Sequence, residues 1–300
     1  MYISYDHYRI FYYVAKYGSF TQAADALLSN QPNLTRAIKT LESELGCTLF
    51  LRSNKGVKLT PDGEKLYEHI SIAFEHIQAG EDEISQNKSL QKGIVSIGAT
   101  EIALRCYLLP ILNRYRSQYP GIRIKISNIS TTQALSMLKN GLIDLAVVTT
   151  PMESSPELTE KKLKSYREAA ICGEAFRHIT KDAPLSLEQL ADYPIVSLGN
   201  RSSTYAFYFR LFMKHDRTFS PDIEAATADQ VVPLVRHNLG IGFVPEEFLE
   251  SAPTVSGVYP LPLTEPIPPR AISLVKKRGH TLSLPAKELE QMILAQAESV

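Results

Sequence analysis

The stretch that decides the fold is residues 29–50, SNQPNLTRAIKTLESELGCTLF. Asn30 stands where a helix N-cap is expected, Pro32 falls in the first turn, where its missing N–H costs nothing, and Gly46 follows the last turn. The apolar residues recur at the spacing of one helical face, and they are Leu34, Ala37, Ile38, Leu41 and Leu45. The stretch therefore predicts an amphipathic helix with a polar front end.

The side of this helix opposite the apolar stripe is polar and cationic, whereas Glu42 and Glu44 lie off it. Its residues are Pro32, Arg36, Lys39, Thr40 and Ser43, with Thr35 at the flank. A carboxamide at the front of such a helix can contact adenine through two hydrogen bonds, and an arginine can hold a phosphate or read guanine. The groups that fit are Gln31, Asn33, Thr35 and Arg36. A solvated helix end is the alternative that this helix leaves open.

Two short helices, YRIFYYVAKYG and SFTQAADAL, are predicted before this helix, and TLFLRSNKGVKLT after it predicts a β-hairpin. Residues 29–58 carry five cationic and two anionic side chains, whereas residues 61–85 carry one and seven. The formal net charge of zero therefore hides a segregated distribution. Cations gathered on one helix and the adjacent hairpin are what a helix-turn-helix with a wing needs to contact phosphates.

A long helix is predicted from Thr60-Pro61-Asp62, which supply a cap, a proline and an acid in the first turn. Its apolar residues follow the 4-3-4-3-4 spacing of a coiled-coil seam, and they are Leu66, Ile70, Ala73, Ile77, Gly80 and Ile84. A partner helix would explain the pattern. An amphipathic helix packed on its own domain is the alternative.

The remaining chain alternates strand-like and helical segments, which indicates parallel sheet covered by helices. The first strands are GIVSIGA, IRIKISNI and LIDLAVVT, and later ones are YPIVSLG, DIEAAT, LGIGFVP, VYPLPL and RAISLVKKR. Between the last two, PLPLTEPIPP holds five prolines in ten residues, which suits an extended crossing segment.

The composition, 44% apolar and 21% charged over 300 residues, is that of an ordinary globular protein of about two domains. The N-terminus lacks a signal-peptide pattern, and no apolar run approaches the ~20 residues of a membrane span. Cys47, Cys106 and Cys172 are odd in number and far apart, so reduced thiols and a cytoplasmic location are expected.

Residues 8–63 resemble the DNA-binding domain of the LysR-type transcriptional regulators. The shared positions are F-x-x-V-x-x-x-G-S-F-x-x-A-A-x-x-L, Q-P-x-[LV]-[ST]-R-x-I-x-x-L-E-x-x-L-G-x-x-L-F-x-R and L-T-x-x-G. Three positions depart mildly from the family pattern: Thr35 stands where serine is common, Asn33 replaces a small or apolar residue, and Leu51 replaces a frequent glutamate. The C-terminal two-thirds resemble the family by their pattern of strands and helices more than by motif, most clearly in LKNGLIDLAVV and VVPLVRHNLGIGFVP.

The resemblance implies an α/β protein of three parts. These are a winged helix-turn-helix at 1–60, a linker helix at 61–89 that pairs two subunits, and an effector-binding domain at 90–300 like a periplasmic solute-binding protein. That domain would have two α/β subdomains, I at about 90–164 and 266–300 and II at about 165–265, with crossings near 163–168 and in 262–268. The implied partners in a bacterial cytoplasm are double-stranded DNA, a second subunit in a homodimer or tetramer, and a small-molecule effector. RNA polymerase is a further candidate, and no membrane, metal or cofactor is expected.

The expected DNA contacts are Gln31, Pro32, Asn33, Thr35, Arg36, Lys39, Arg52 and Lys55. Ligands in such α/β domains bind outside the carboxyl ends of strands, between the lobes. The effector candidates at these positions are Thr100, Glu101, Thr149, Ser202, Ser203, Thr204 and Phe243. Helix N-termini would favour an anionic effector and Glu101 opposes it, so the charge stays open. Ordinary capping or packing is the alternative for each.

An enzyme or small-molecule-binding protein with an appended helix-turn-helix is the rival class. The sequence has no GxSxG, Walker A or HExxH motif, and GIGFVP lacks the third glycine of a dinucleotide loop. His69 and His76 lie seven apart on one helix and the other histidines are scattered, so no metal site is indicated. A secreted solute-binding protein would not need the first 60 residues. We therefore expect a regulator and not an enzyme.

Overall fold

The computed structural model describes residues 3–53, 56–86, 92–180, 184–250 and 257–298. Within these ranges the side chains of 52, 53, 56, 75, 76, 78–86, 180 and 250 are not described. The chain divides into two compact units, Met1–Ser85 and Gln86–Val300, and each is treated by itself.

The N-terminal unit has three short helices, a hairpin and one long helix. They are α1 (Tyr5–Tyr17), α2 (Phe20–Ala26), α3 (Gln31–Leu45), β1 (Phe50–Ser53), β2 (Gly56–Leu59) and α4 (Pro61–Gln86). The predicted boundaries of α3 are confirmed: the Asn30 side chain accepts from the Asn33 amide, and Gly46 ends the helix with φ 70°. The predicted hairpin is confirmed as antiparallel pairing of β1 with β2.

The core of this unit gathers one face from each short helix. Phe11 and Val14 of α1 and Phe20 of α2 are buried against the stripe of α3. In that stripe Leu34, Ala37, Ile38 and Leu41 are buried, while Leu45 packs against the core from a half-buried position. The predicted division of α3 into an apolar and a polar face is therefore confirmed.

The start of α4 is fixed by the L-T-x-x-G motif. The Thr60 hydroxyl accepts from the Gly63 amide at 3.0 Å and donates to the Thr48 carbonyl at 2.7 Å. A Cβ on Gly63 would lie 2.3 Å from the Leu49 carbonyl oxygen, so only glycine allows this close approach. The predicted helix start at Thr60-Pro61 is confirmed.

The predicted seam of α4 has two environments. Leu66 and Ile70 pack against the core of the unit, as the alternative of an ordinary amphipathic helix requires. Ala73 and Ile77 are exposed, and Ile77 keeps 41% of its surface open. The side chains of Gly80 and Ile84 lie outside those described. The first half of the predicted seam therefore packs within the N-terminal unit, whereas its next two residues, Ala73 and Ile77, are exposed.

The C-terminal unit has ten strands and eight α-helices among its described residues. In chain order they are β3 (Gly93–Ala99), α5 (Glu101–Ala103), α6 (Leu109–Gln118), β4 (Ile122–Asn128), α7 (Thr131–Lys139), β5 (Leu145–Thr149), β6 (Leu158–Tyr166), β7 (Glu168–Gly173), α8 (Leu187–Leu190), β8 (Ile195–Leu198), α9 (Ser203–Lys214), β9 (Ile223–Ala225), α10 (Val231–Arg236), β10 (Ile241–Pro245), α11 (Glu246–Glu250), β11 (Val258–Leu261), β12 (Arg270–Lys277) and α12 (Leu284–Glu298). A π-helical turn, Leu104–Leu108, joins α5 to α6.

These strands form two five-stranded sheets, which confirms the α/β fold class. The first has the order β4-β3-β5-β12-β6, with β3 parallel to β4 and β5, and β12 antiparallel to β5 and β6. The second has the order β11-β7-β10-β8-β9, with β8 parallel to β9 and β10. We call the parts built on them subdomain I and subdomain II.

The chain passes twice between the sheets. It leaves the first sheet at Tyr166, at the end of β6, and enters the second at Glu168. It returns between Leu261 and Arg270, through the proline-rich segment. Both crossings therefore reach the first sheet at one place, because Tyr166 and Arg270 pair with each other in the β6–β12 ladder.

Candidate functional site

The side of α3 opposite its buried stripe is open to solvent. Its exposed residues include Gln31, Pro32, Asn33, Arg36, Lys39 and Thr40, and Thr35 is half-buried. Within the described part of the N-terminal unit, neither Arg36 nor Lys39 lies within ion-pair distance of a carboxylate. The predicted contact residues on α3 thus form one surface with uncompensated positive charge.

Of the three basic side chains in the predicted hairpin, the structure describes that of Lys58. Arg52 lies in β1, but its side chain is outside those described, and Lys55 lies outside the described residues. Lys58 in β2 is exposed. The expected contacts by Arg52 and Lys55 therefore stay predictions.

A pocket opens between the two subdomains of the C-terminal unit. It encloses about 460 Å³ of space free of atoms, with the open solvent at its mouth included. Six of the predicted effector residues line it, and they are Thr100, Glu101, Thr149, Ser202, Ser203 and Thr204. The fold brings them together because the strands of each sheet end at this cleft, and helices begin there.

The polar lining comes largely from residues that begin helices. Ser130 caps α7 and Ser202 caps α9, each by accepting a backbone N–H with its hydroxyl. Thr100 caps α5 in the same way and is buried. The N-termini of α7 and α9 therefore lie in the pocket lining, and a helix N-terminus carries the positive end of the helix dipole.

One hydrogen bond joins the two walls of the pocket, and two more lie within the wall from subdomain I. The Ser203 hydroxyl of subdomain II donates to the Thr131 hydroxyl of subdomain I at 3.2 Å. Thr131 in turn donates to the Thr149 carbonyl at 2.9 Å. At the mouth, the Asn128 amide donates to the Glu101 carboxylate at 2.7 Å. None of the described lining side chains is basic, and the polar side chains of the lining are hydroxyls, the Asn128 amide and the Glu101 carboxylate.

Four polar lining residues were missed by sequence reasoning: Asn128, Ser130, Thr131 and Thr227. A signal existed for two of them. Residues 130–133 read S-T-T-Q, and the structure has the reciprocal capping box between Ser130 and Gln133. A helix start directly after a predicted strand end would have pointed to this wall.

Phe243 is the predicted effector residue that the pocket does not include. It lies in β10 and is buried, with its ring stacked on Tyr208 at a centroid distance of 4.3 Å. It lines a smaller cavity behind the pocket, together with Glu168 and Thr204. Its place is set by packing inside subdomain II, because a residue within a central strand faces the helices covering the sheet.

A buried ion pair lies behind the pocket wall. Arg270 Nη1 donates to Glu168 Oε1 at 2.7 Å, and the two side chains are 1% and 2% exposed. Burial raises the pKa of the Glu168 carboxyl, and the Arg270 guanidinium opposes that rise. Burial also raises the pKa of the Cys106 thiol, in the π-helical turn, to about 12. A thiol in that state is a poor nucleophile at neutral pH.

Two negative findings apply to the described residues. No helix among them is long and apolar enough to cross a membrane. In the same ranges, no cluster of three or more histidine, cysteine, aspartate or glutamate side chains is arranged to hold a metal ion.

Two family profiles match the chain. The LysR substrate binding domain matches residues 88–298, and the bacterial regulatory helix-turn-helix protein of the lysR family matches residues 5–64. The chain is 31% identical over 238 residues to the HTH-type transcriptional regulator CysB of Haemophilus influenzae, covering 75% of this chain and 69% of that protein. It is 28% identical over 241 residues to the HTH-type transcriptional regulator AlsR of Bacillus subtilis, covering 80% and 79%.

Solved structures share the fold. CbnR, a LysR family transcriptional regulator, superimposes with a TM-score of 0.72 at 15% identity, over 98% of this chain and 99% of that one. Full-length CbnR complexed with its target DNA gives a TM-score of 0.71 at 16% identity, with the same coverage. At these identities the likeness concerns the fold.

Proposed function

The chain belongs to the LysR family of transcriptional regulators, and we propose that it binds double-stranded DNA through α3 and responds to a small molecule held in the pocket. Its curated relatives are transcriptional regulators. In this proposal the protein works in the bacterial cytoplasm as a homodimer or tetramer and acts on transcription by RNA polymerase. It needs no cofactor and catalyses no reaction.

One observation carries the DNA-binding proposal: the exposed face of α3. Gln31 and Asn33 offer carboxamides at the front of the helix, and Arg36 and Lys39 add cations one and two turns further on. The opposite face is buried, so the helix can present these groups to a groove only in one orientation. The complex of full-length CbnR with its target DNA supports this use of the fold.

Replacing Arg36 with alanine tests this proposal. If Arg36 holds a phosphate, affinity falls for every sequence and the slope of log K against log salt becomes shallower by about 1. If Arg36 reads guanine, discrimination of about 1–3 kcal/mol disappears at one base position. The measurement is fluorescence anisotropy at several salt concentrations, on duplexes selected by the wild type from a random pool and on a scrambled duplex.

Arg9→Ala is the matched control, since Arg9 is an exposed arginine on α1 of the same unit. It should keep the affinity and the salt slope of the wild type. Unchanged affinity, salt slope and base preference in Arg36→Ala would remove this face of α3 from the DNA interface.

The pocket is the proposed effector site, lined by Thr100, Glu101, Thr149 and residues 202–204. The lining suits a small polar molecule that exchanges several hydrogen bonds with hydroxyls and backbone amides. A thermal-shift screen of metabolites on the full chain would identify it, because a ligand bound only by the native state raises the melting temperature.

A further inference from the structure

We infer that Arg270 is a positioning residue that couples the walls of the ligand pocket to the segments joining the two subdomains. The inference rests on the proposed effector function of the pocket. It concerns a residue outside the pocket lining, and it states how a change inside the pocket reaches the crossings.

Arg270 lies where the two crossings between the subdomains meet. It is the first residue of β12, so the second crossing ends at it. Its ladder partner is Tyr166, the last residue of β6, where the first crossing begins. Glu168, which accepts from its guanidinium, opens β7 on the other side of that crossing. One side chain thus contacts both crossings at the point where they meet.

The Arg270 guanidinium donates hydrogen bonds to both subdomains. Arg270 Nε donates to the Thr150 carbonyl at 2.7 Å, just beyond the end of β5 in subdomain I. Nη1 donates to Glu168 at 2.7 Å, and Nη2 donates to the Thr204 hydroxyl at 3.1 Å, both in subdomain II. A longer bond of 3.4 Å joins Nη2 to the Thr149 hydroxyl. The planar, fixed fork of arginine is what serves these directions at once.

Two residues that contact Arg270 also line the pocket. Thr149 and Thr204 both line the pocket, the first from subdomain I and the second from subdomain II. Their hydroxyls both accept from the same NH₂ group of Arg270, at 3.4 and 3.1 Å. A ligand that hydrogen-bonds either hydroxyl, or moves either wall, changes the partners of that group. Because the same guanidinium also bonds Glu168 and Thr150, the change alters these two hydrogen bonds beside the crossings.

A purely stabilising role explains this arrangement poorly. A buried ion pair adds little net stability, because removing two charges from water offsets their attraction. Aromatic rings also enclose the guanidinium, with Phe207 of α9 at 5.0 Å and Tyr166 at 5.7 Å from ring centroid to Cζ. These contacts fix the orientation of the side chain, and orientation is what a coupling role needs.

Two backbone amides beside Arg270 report on the crossings. The Thr150 amide donates to the Ala271 carbonyl, and the Ala271 amide donates to the Thr150 hydroxyl, both at 2.9 Å. Hydrogen–deuterium exchange of peptides covering them, measured on the full chain by mass spectrometry, follows local opening there. The measurement uses neither DNA nor ligand, so its failure is distinguishable from failure of the proposed function.

The test removes pocket hydroxyls while keeping side-chain shape. Thr204→Val should speed exchange at Thr150 and Ala271 by about two- to tenfold, the effect expected for loss of one buried hydrogen bond. Thr227→Val, a pocket hydroxyl without a contact to Arg270 among the described residues, should leave these amides unchanged. In an Arg270→Lys background, Thr204→Val should add nothing, because lysine keeps the charge but lacks the fork.

Equal effects of Thr204→Val and Thr227→Val would overturn the proposal, and so would the same effect of Thr204→Val in both backgrounds. Circular dichroism shows whether Arg270→Lys folds. The comparison of Thr204→Val with Thr227→Val stands in either case.

Discussion

The carboxylate of Glu42 has a structural role that its place on α3 does not reveal. Glu42 Oε1 accepts from the Leu49 amide at 2.8 Å and from the Phe50 amide at 3.3 Å. It thereby joins α3 to the start of β1 and satisfies two donors of a buried segment. The glutamate of the L-E pair in the shared motif is thus explained by folding.

Replacing Glu42 with alanine should lower the free energy of unfolding by about 1–3 kcal/mol, because two backbone donors lose their acceptor. Urea denaturation of the full chain, followed by circular dichroism, measures the change. Glu44→Ala is the matched control, an exposed glutamate two residues further on, with an expected effect within about 0.5 kcal/mol. Equal effects of the two variants would contradict the assigned role.

Single residues also show how far the sequence predicts the site. Position at the end of a strand is a local property, so Thr100, directly after β3, and Thr149, the last residue of β5, could be assigned to a cleft from the sequence. Depth within a strand is not local: Phe243 lies in the middle of β10, and its ring stacks on Tyr208 within subdomain II. Residue type, finally, could not reveal that Thr131 joins the other pocket wall, because its partner Ser203 is 72 positions away.

Among the elements, helix α4 has an exposed stretch on its predicted coiled-coil seam. Ile77 is exposed on the predicted seam, one turn beyond the exposed Ala73. If two copies of α4 pair there, an aspartate at 77 places a charge in the interface twice, once from each subunit. Since burying one isoleucine contributes about 1.5–3 kcal/mol, Ile77→Asp should raise the dimer dissociation constant more than a hundredfold.

Ile72→Asp is the matched control, because Ile72 is 38% exposed on the same helix but lies off the seam. Sedimentation equilibrium of both variants gives the dissociation constants. A dimer that is weakened equally by both substitutions would remove the seam as the pairing surface, and a dimer unaffected by Ile77→Asp would place the interface elsewhere.

The elements differ in how well their sequences predict them. Strand β5 is buried at every position, and its apolar run LAVVT predicts a strand directly. Strand β6 lies at the edge of its sheet and reads LTEKKLKSY, with only Leu158, Leu163 and Tyr166 buried. Its charged side chains obscure the pattern, so sequence reasoning gave no strand there. Edge strands carry such charges because solvent covers their outer side.

For the whole molecule, charge distribution matters more than total charge. The net charge is zero, yet α3 and the hairpin are cationic while α4 is acidic in sequence. Affinity for DNA should therefore depend on salt through the local cations, in spite of a neutral chain.

The last prediction concerns symmetry. If two subunits pair about a two-fold axis, as proposed, they present two copies of α3, and a preferred DNA site should contain two half-sites in inverted orientation. After one α3 binds, the second half-site is met at a high effective concentration. Scrambling one half-site should therefore weaken binding by at least about tenfold, measured by fluorescence anisotropy at fixed salt on duplexes of equal length.

Helical phase and oligomeric state are the controls for this experiment. Inserting about 5 base pairs between the half-sites turns them to opposite faces of the duplex and should weaken binding as much as scrambling does. Inserting about 10 base pairs restores the face and should recover part of the affinity. The Ile77→Asp variant, if monomeric, should bind intact and half-scrambled sites almost equally, because it has no second α3 to place. A wild-type protein that ignores the second half-site would contradict binding by a symmetric dimer, whatever the affinity of each α3 for its own half-site.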